Sequence, residues 1–460
     1  MPKRQMQTWL VLVVLAVGLV IVFVLGLWAY MSATATPIHP NPREVSSVTR
    51  AAPPARWAAA VSQAQEAARE AISAQNLPGL SVAAGIGDGV RQEVVWAEGF
   101  GWADLENRAS VSPETRFRTG GISMALTSAA VGLLVERNQV RLDDEIHKYV
   151  TEYPAKEWPV TLRQLMGHVG GVANDQGDEE PLSERCARTV DVVQRFAKTP
   201  LRFEPGTRYR YSTYGWTLVS AAVESAARES FFSFMRSQVL GPLGMNDSSP
   251  DSETEPPPNR AKFYHPRFAG DTRYGPEPAR DGDYSCFAGA GAFVSTPSDL
   301  VRFGMAMNSG RLLQPATVAQ FQTSQRLVTG EETGYGLGWD LETVQLSGES
   351  TTTVGHDSEF TNGGSASLKV FRFPGLDVVV AVTTNISFAD TDAIALKVAE
   401  AFAREAKAPA ASRCVATLCG YLLPTFVCDI RRPRRNSTPP FIVVKMVSSR
   451  PSAIRRQLSG

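Results

Sequence analysis

The sequence predicts an α/β fold of the α+β type, in which an antiparallel sheet is built from both ends of one domain. Three observations support this prediction. A helical pattern and two strand patterns open the domain, and three strand patterns and a helical pattern close it. Between them, residues 120–245 have mostly helical periodicity. We therefore expect N- and C-terminal helices to flank the sheet, with a largely helical insertion between its two halves.

The chain begins with an apolar segment that predicts a membrane anchor. Residues 9–31 contain no charge over 23 positions, which is about 34 Å as a helix and enough to cross a hydrocarbon core. Lys3 and Arg4 precede the segment, so the positive-inside rule leaves residues 1–8 in the cytoplasm. Small residues at 33–35 would also suit signal-peptide cleavage, but signal cores are shorter, and we expect an uncleaved transmembrane signal-anchor.

A linker and the first half of the domain come next. Residues 32–55 contain five prolines, which predicts a semi-rigid spacer that holds the domain off the bilayer. The domain itself is expected over residues 56–407. Apolar residues at helical spacing predict a helix over Arg56–Asn76. Two strands, Leu80–Ile86 and Glu93–Gly99, should follow as a pair joined by a glycine-rich turn.

The second half of the domain contains the remaining strands. They are predicted at Thr351–Val354, Ser365–Phe373 and Leu376–Thr383, and a final helix at Asp390–Lys407. Beyond it, residues 408–460 hold nine Lys or Arg against one Asp, with several prolines, which predicts a basic, disordered tail. Binding of an acidic surface and the absence of any role are equally compatible with this composition.

Composition limits the classes of function. Lys and Arg number 46, the same as Asp and Glu, so overall charge gives no indication of a nucleic-acid partner. Five cysteines are too few for a disulfide framework in a domain of this size, and their spacing is not that of a zinc site. We therefore expect neither a metal nor a cofactor.

The stretch with the most chemical information is Phe117–Met124, which reads Phe-Arg-Thr-Gly-Gly-Ile-Ser-Met and leads into an apolar helix. Further short motifs follow it in order, at residues 135–144, 160–171, 204–215, 289–300, 335–339 and 354–358. Together they resemble the penicillin-binding-protein and class C β-lactamase-like family of serine hydrolases. The resemblance extends over roughly Arg56–Lys407, and the chain looks most like the mitochondrial serine β-lactamase-like branch and its bacterial relatives. It implies the β-lactamase and transpeptidase fold.

The resemblance also implies that two reactive side chains are missing. In the family, Ser-x-x-Lys at the start of the apolar helix supplies the nucleophile and a lysine that helps to remove its proton. Gly121 stands at the serine position and Met124 at the lysine position. Ser123 is a poor substitute, because it lies two residues on and points about 200° away around the helix.

Other positions of the family's site keep polar or aromatic residues. Tyr211 matches the tyrosine that acts as a base or hydrogen-bond donor, although a structural role is an equal alternative. Thr213 replaces an asparagine that binds substrate. His168, in the helix-and-turn motif, is expected to be structural.

A second group of expected substrate-binding residues lies in the last motif. His356 occupies the position of a cation or hydrogen-bond donor, and Ser358 replaces a glycine that lets substrate lie against the strand. The amides of Gly121 and Glu359 match the oxyanion hole.

These observations predict a membrane-anchored, catalytically impaired relative of the serine hydrolases. We expect its cleft to bind a peptide, a cell-wall fragment or a small acyl-donor-like molecule, and homo-oligomers stay possible. One alternative is an active hydrolase that uses Tyr211 with Ser123 or an unrecognised nucleophile; another is a non-enzymatic scaffold. The expected location is a single-pass membrane protein with its domain on the periplasmic side or, in a eukaryote, in the mitochondrial inner membrane facing the intermembrane space.

Overall fold

The structure of the chain is a computed structural model. This structure describes residues 3–87, 91–173, 185–252, 255–280, 282–360, 362–373 and 375–407. Met1–Ala403 forms one compact unit, and a second unit begins at Arg404, within the last helix. The basic tail expected at 408–460 lies outside the described residues.

The helices of the described chain divide into a membrane-anchor candidate, two helices at the ends of the domain and a central group. In chain order they are α1 Lys3–Thr34, α2 Ala58–Ala74, α3 Ile122–Glu136, α4 Leu162–Met166, α5 Thr189–Phe196, α6 Thr213–Ala227, α7 Phe231–Phe234, α8 Pro297–Asn308, α9 Pro315–Phe321 and α10 Thr391–Lys407. Helix α3 is buried at 12 of its 15 residues, which explains why its sequence carries no charge before Glu136.

The strands form one large antiparallel sheet and two small ones. They are β1 Ser47–Thr49, β2 Gly79–Gly87, β3 Gln92–Asp104, β4 Ala109–Ser110, β5 Phe117–Arg118, β6 Ser249–Pro250, β7 Tyr264–Pro266, β8 Pro276–Pro278, β9 Phe293–Ser295, β10 Asp340–Leu346, β11 Glu349–Glu359, β12 Ser365–Phe373 and β13 Leu376–Thr384. The large sheet has the order β1-β3-β2-β13-β12-β11-β10, with β4 paired to β3. Strands from the two ends of the domain meet where β2 pairs with β13.

Both faces of the large sheet are covered by helices. Helix α8 packs against β2, β3, β12 and β13. Its close approach needs glycine, since a Cβ on Gly304 would lie 2.8 Å from Val379 Cγ1. Helices α2 and α10 lie on the opposite face, where the rings of Trp57 and Phe402 are 5.7 Å apart. The predicted fold class, a sheet built from both ends around a helical insertion, is confirmed.

Element boundaries differ from the sequence prediction mainly in the later strands. Strand β11 extends well beyond the predicted Thr351–Val354, and β10 was not predicted. Residues 356–359 are polar and have little strand propensity of their own, but their backbone pairs with Ala366 and its neighbours on β12. Pairing across the sheet therefore decided this element.

The proline-containing segment 32–55 is not the spacer that its composition predicts. Strand β1 within it pairs with β3, from Ser47 opposite Phe100 to Thr49 opposite Glu98. Ile38 N–H donates to Asn76 Oδ1 at 2.7 Å, so the segment is bound to the surface of the domain. The reason is that an extended, proline-containing chain is also suited to an edge strand, and β3 offered it an open edge.

A buried lysine joins β12 to three carboxylates. The side chain of Lys369 is 1% exposed, and its Nζ lies 2.6 Å from Asp357 Oδ2. Glu342 and Asp392 complete the cluster at 3.1 Å each. Burial alone would lower the pKa of Lys369, but the three carboxylates outweigh burial and raise it. The cluster links β10, β11 and β12 to the start of α10.

A disulfide was not anticipated. Cys186 and Cys286 are bonded across 100 residues of chain, with Cα atoms 4.9 Å apart. The bond holds the segment before α5 against the turn Ser285–Ala290, where Cys186 N–H also donates to Ser285 Oγ. Because no spacing pattern marks the pair, only the folded chain identifies it.

Replacing Lys369 by methionine should destabilise the domain by about 2 kcal/mol, since three carboxylates would then repel one another without their shared cation. Arg326→Met is the matched control, because its ion pair with Glu332 is largely exposed and should contribute about 0–1 kcal/mol. Thermal unfolding of both variants in detergent micelles measures the difference. Equal stability of the two variants would contradict a structural role for the cluster.

Candidate active site

Three segments of the described chain meet at the position of the family's nucleophile. Gly121 is the N-cap of α3, Tyr211 lies just before the N-cap of α6, and His356 lies near the end of β11. Gly120, with φ of +46°, makes the turn that leads from β5 into α3. The structure therefore brings together three residues that the motifs singled out independently.

The space beside Gly121 is occupied by its neighbours. A Cβ built on Gly121 would lie 2.6 Å from His356 Cε1 and 2.8 Å from Tyr211 Oη. Both distances are shorter than van der Waals contact with a real Cβ, so no larger side chain fits without movement. His356 is 1% exposed, whereas Tyr211 is 39% exposed and has more room to move.

Met124 fills the lysine position and engages the tyrosine. Tyr211 Oη donates a hydrogen bond to Met124 Sδ at 3.3 Å. A thioether is a weak acceptor and does not take up a proton at physiological pH. The contact can orient the phenol, but it supplies no base at the place where the family has an amine.

Two hydrogen bonds fix the orientation of the His356 ring. Its Nδ1 lies 2.7 Å from the carbonyl oxygen of Asp357, which can only accept, so Nδ1 carries the proton. Nε2 then accepts from Tyr335 Oη at 3.1 Å. Burial, followed by the nearby charge of Asp340, raises the pKa of Tyr335 well above 10, so the phenol keeps the proton that it donates. These two contacts hold the ring of His356 in place beside Gly121.

His168 forms a platform under Tyr211. The two rings stack with centroids 4.3 Å apart, and His168 Nδ1 accepts from the backbone N–H of Ser212 at 3.0 Å. The other nitrogen, Nε2, is buried and has no hydrogen-bond partner among the described residues. Burial lowers the pKa of His168 well below 6.5, and His356 adds to the effect. The ring of His168 is therefore neutral at physiological pH.

The expected oxyanion hole is filled from within the chain. Gly121 N–H donates to Ser358 Oγ at 2.7 Å. The same hydroxyl lies 2.0 Å from the place where a Cβ on Gly120 would be. With glycine at position 358, as in the family pattern, this amide would lose its side-chain acceptor. Ser358 thus has an internal contact where a substrate carbonyl was expected, and exposed Glu359 ends the strand beside it.

The remaining candidates lie outside these contacts. Ser123 is fully buried, and its Oγ is 2.9 Å from Thr119 Oγ1, on the far side of α3 from the cleft. Thr213 begins α6 and is largely buried. Tyr335 lies in the motif at 335–339 but was not among the predicted site residues. No periodicity or spacing could have paired it with His356.

The strand next to the site has an uncovered edge. Pairing of β10 with β11 ends at Asp340 opposite Gly355, and no described strand pairs with residues 356–359 on that side. Asp357 N–H donates there to Asp340 Oδ2 at 3.3 Å. No described group of three or more His, Cys, Asp or Glu residues is arranged to hold a metal ion.

Comparison with known proteins agrees with this geometry. The sequence profile of the family described as Beta-lactamase matches residues 58–404, which is most of the chain. The chain belongs to the β-lactamase family. The resemblance drawn from the motifs is therefore confirmed.

Individual relatives are distant. The chain is 25% identical over 426 residues to the mitochondrial serine β-lactamase-like protein of Bos taurus, covering 70% of this chain and 76% of that protein. It is 25% identical over 262 residues to penicillin-binding protein 4* of Bacillus subtilis (strain 168), covering 54% and 57%. The octameric penicillin-binding protein homologue from Pyrococcus abyssi shares the fold, with a TM-score of 0.60 at 24% identity, covering 75% and 77%.

Neutral, buried His168 should make the stability of this family member depend on pH. Below pH 6.5 the unfolded chain binds a proton at this ring that the folded chain does not, so the free energy of unfolding falls by about 1.4 kcal/mol per pH unit. His168→Asn keeps a residue suited to the local φ of +58° and removes the titration. Urea unfolding between pH 7.5 and 5.5 should show a loss about 1 kcal/mol smaller in the variant. If the free energy of unfolding depends on pH in the same way in both proteins, His168 is not the group that titrates.

Proposed function

We propose that this chain is a membrane-anchored, non-acylating member of the β-lactamase family that binds peptide or cell-wall-like ligands without hydrolysing them. The observation that carries the proposal is the occupied space at Gly121. His356 and Tyr211 lie where the Cβ of a nucleophilic serine would be. Because the side chains around position 121 fill this space, the site is adapted to the absence of a serine side chain.

The chemistry of the remaining groups supports the same conclusion. Acyl transfer needs a nucleophile, a proton acceptor and oxyanion donors. Gly121 offers no nucleophile, Met124 offers no base, and the Gly121 amide already donates to Ser358. Loss of the nucleophile and its base in serine hydrolases costs about 10⁶ in kcat.

The reading as an active hydrolase through Ser123 has little support. Its hydroxyl is bonded to Thr119 inside the domain and faces away from Tyr211. Repositioning it would require rotation of α3, which is buried on nearly all sides.

A ligand-binding role is supported by the edge of β11. Residues 356–359 present an extended backbone beside the half-exposed ring of Tyr211. Extended peptides bind such edges by adding a strand, with affinity from main-chain hydrogen bonds. Binding of this kind needs no reactive side chain.

Anchoring is supported by two independent features. Trp9–Thr34 within α1 is long and apolar enough to cross a bilayer, and Lys3 and Arg4 lie on its N-terminal side. The disulfide between Cys186 and Cys286 is typical of oxidising compartments. Both favour a domain outside the cytoplasm, as in the periplasm or the mitochondrial intermembrane space.

Incubation with a fluorescent penicillin or a fluorophosphonate should leave the protein unlabelled, as measured by intact-mass spectrometry. Titration with soluble muropeptides should give a saturable, reversible signal by calorimetry. An acyl adduct at stoichiometric level would refute the loss of acylation. If the protein shows no adduct and no binding, the ligand-binding role is refuted, and the interpretation as a non-enzymatic scaffold remains.

Restoration of the motif should succeed only when the oxyanion hole is also cleared. The variant Gly121→Ser with Met124→Lys still has Ser358 on the amide, and its new Cβ must displace both His356 and Tyr211. Adding Ser358→Gly should speed fluorophosphonate labelling about 100-fold, the range attributed to one oxyanion donor.

Ser358→Gly alone serves as the matched control and should remain unlabelled, because it restores no nucleophile. Equal labelling rates for the double and triple variants would show that Ser358 does not obstruct the site.

A further inference from the structure

The end of α1 reaches beyond the hydrocarbon core of a bilayer. Its apolar span, Trp9–Thr34, has 26 residues, about 39 Å, whereas the hydrocarbon core is about 30 Å thick. With Trp9 at one boundary, Trp28 marks the other, as expected for interfacial tryptophan. Met31 and Thr34 then stand about 5 and 9 Å above it, in or just above the headgroup layer.

The domain is bound to this part of the helix. Arg267, in the loop between β7 and β8, donates from Nη1 to the carbonyl oxygen of Thr34 at 3.2 Å and from Nη2 to Thr34 Oγ1 at 3.0 Å. Its Nη2 also lies 3.6 Å from Met31 Sδ, and Met31 is 8% exposed. These contacts fix the loop at the height of the lipid headgroups.

The loop and its neighbour are rich in residues suited to that layer. The rings of Phe268 and Tyr274 are in contact, with centroids 5.4 Å apart. Phe388, 43% exposed, packs beside Gly270, with ring carbons 3.4–3.6 Å from the position of a Cβ. The side chain of Arg273 is 72% exposed. We call Arg267, Phe268, Arg273, Tyr274 and Phe388 the membrane foot.

We propose that the membrane foot rests in the headgroup layer of the bilayer that α1 crosses, so that the domain is seated on the lipid surface. The inference rests on the anchoring part of the proposed function. Arg267 would hold the loop to the end of α1, and the exposed guanidinium of Arg273, which pairs with Asp271 at 2.7 Å, would lie among the lipid phosphates. The aromatic rings would lie at the boundary between headgroups and acyl chains. Exposure of Phe388 to water is unfavourable. Because the loop beside Phe388 is bonded to the end of α1, a bilayer crossed by α1 would bring its lipid surface next to this ring.

Photo-crosslinking of the full-length chain in vesicles of phosphatidylcholine and phosphatidylglycerol tests this. A benzophenone amino acid replaces Phe388 in one sample. It replaces Trp28 in a second, as the positive control within the helix. It replaces Val328 in a third, as the matched control, because Val328 is 73% exposed and lies beside Gly206 in the helical region. Lipid adducts are measured by mass spectrometry after irradiation.

Adducts at positions 28 and 388, with at least tenfold less at 328, are the expected result. If position 28 gives an adduct but the adduct yield at position 388 is no higher than at position 328, the membrane foot is overturned and the anchor is not. No adduct at 28 would instead overturn the anchor itself. In the Phe388 sample, Arg267→Gln should lower the adduct at 388 at least threefold; an unchanged yield would overturn the role given to Arg267.

Discussion

The pairing of β2 with β13 is the interaction on which the rest of the structure depends. It joins strands almost 300 residues apart, in register from Leu80 opposite Thr384 to Gly87 opposite Asp377. The buried side chain of Asn385 reinforces the junction, accepting from Gly79 N–H and donating to the carbonyl of Trp102. Because β11 reaches the site only through this sheet, closing the two ends of the domain also brings His356 to the start of α3.

The differences from the family pattern at the site are physically coherent with one another. Without a side chain at Gly121, the rings of His356 and Tyr211 can approach the backbone of α3. With methionine at 124, the tyrosine hydroxyl has an uncharged neighbour, and the buried ring of His168 stays neutral. With serine at 358, the amide of Gly121 has a permanent partner. Together these changes replace the nucleophile and amine of the family by packed side chains that supply neither group.

The outer parts of the chain contribute more to the domain than their composition suggests. The segment before α2 adds an edge strand, and Arg267 joins the end of α1 to the loop after β7. These contacts bind the N-terminal segments to the surface of the domain, so these segments do not act as a flexible tether. The disulfide between Cys186 and Cys286 joins the segment before α5 to the turn Ser285–Ala290.

The sequence by itself determined the elements whose patterns are local: the apolar N-terminal helix, the helix ending near Asn76, the β12–β13 pair, and the absence of serine and lysine at 121 and 124. Local periodicity suffices there because the same residues form the element and carry its signal. Tertiary structure alone decided β1 and β10, the Ser358 contact with Gly121, the bond from Tyr335 to His356, and the disulfide. Each of these joins residues whose partner is chosen by the packing of other elements, so no pattern within either segment contains that information.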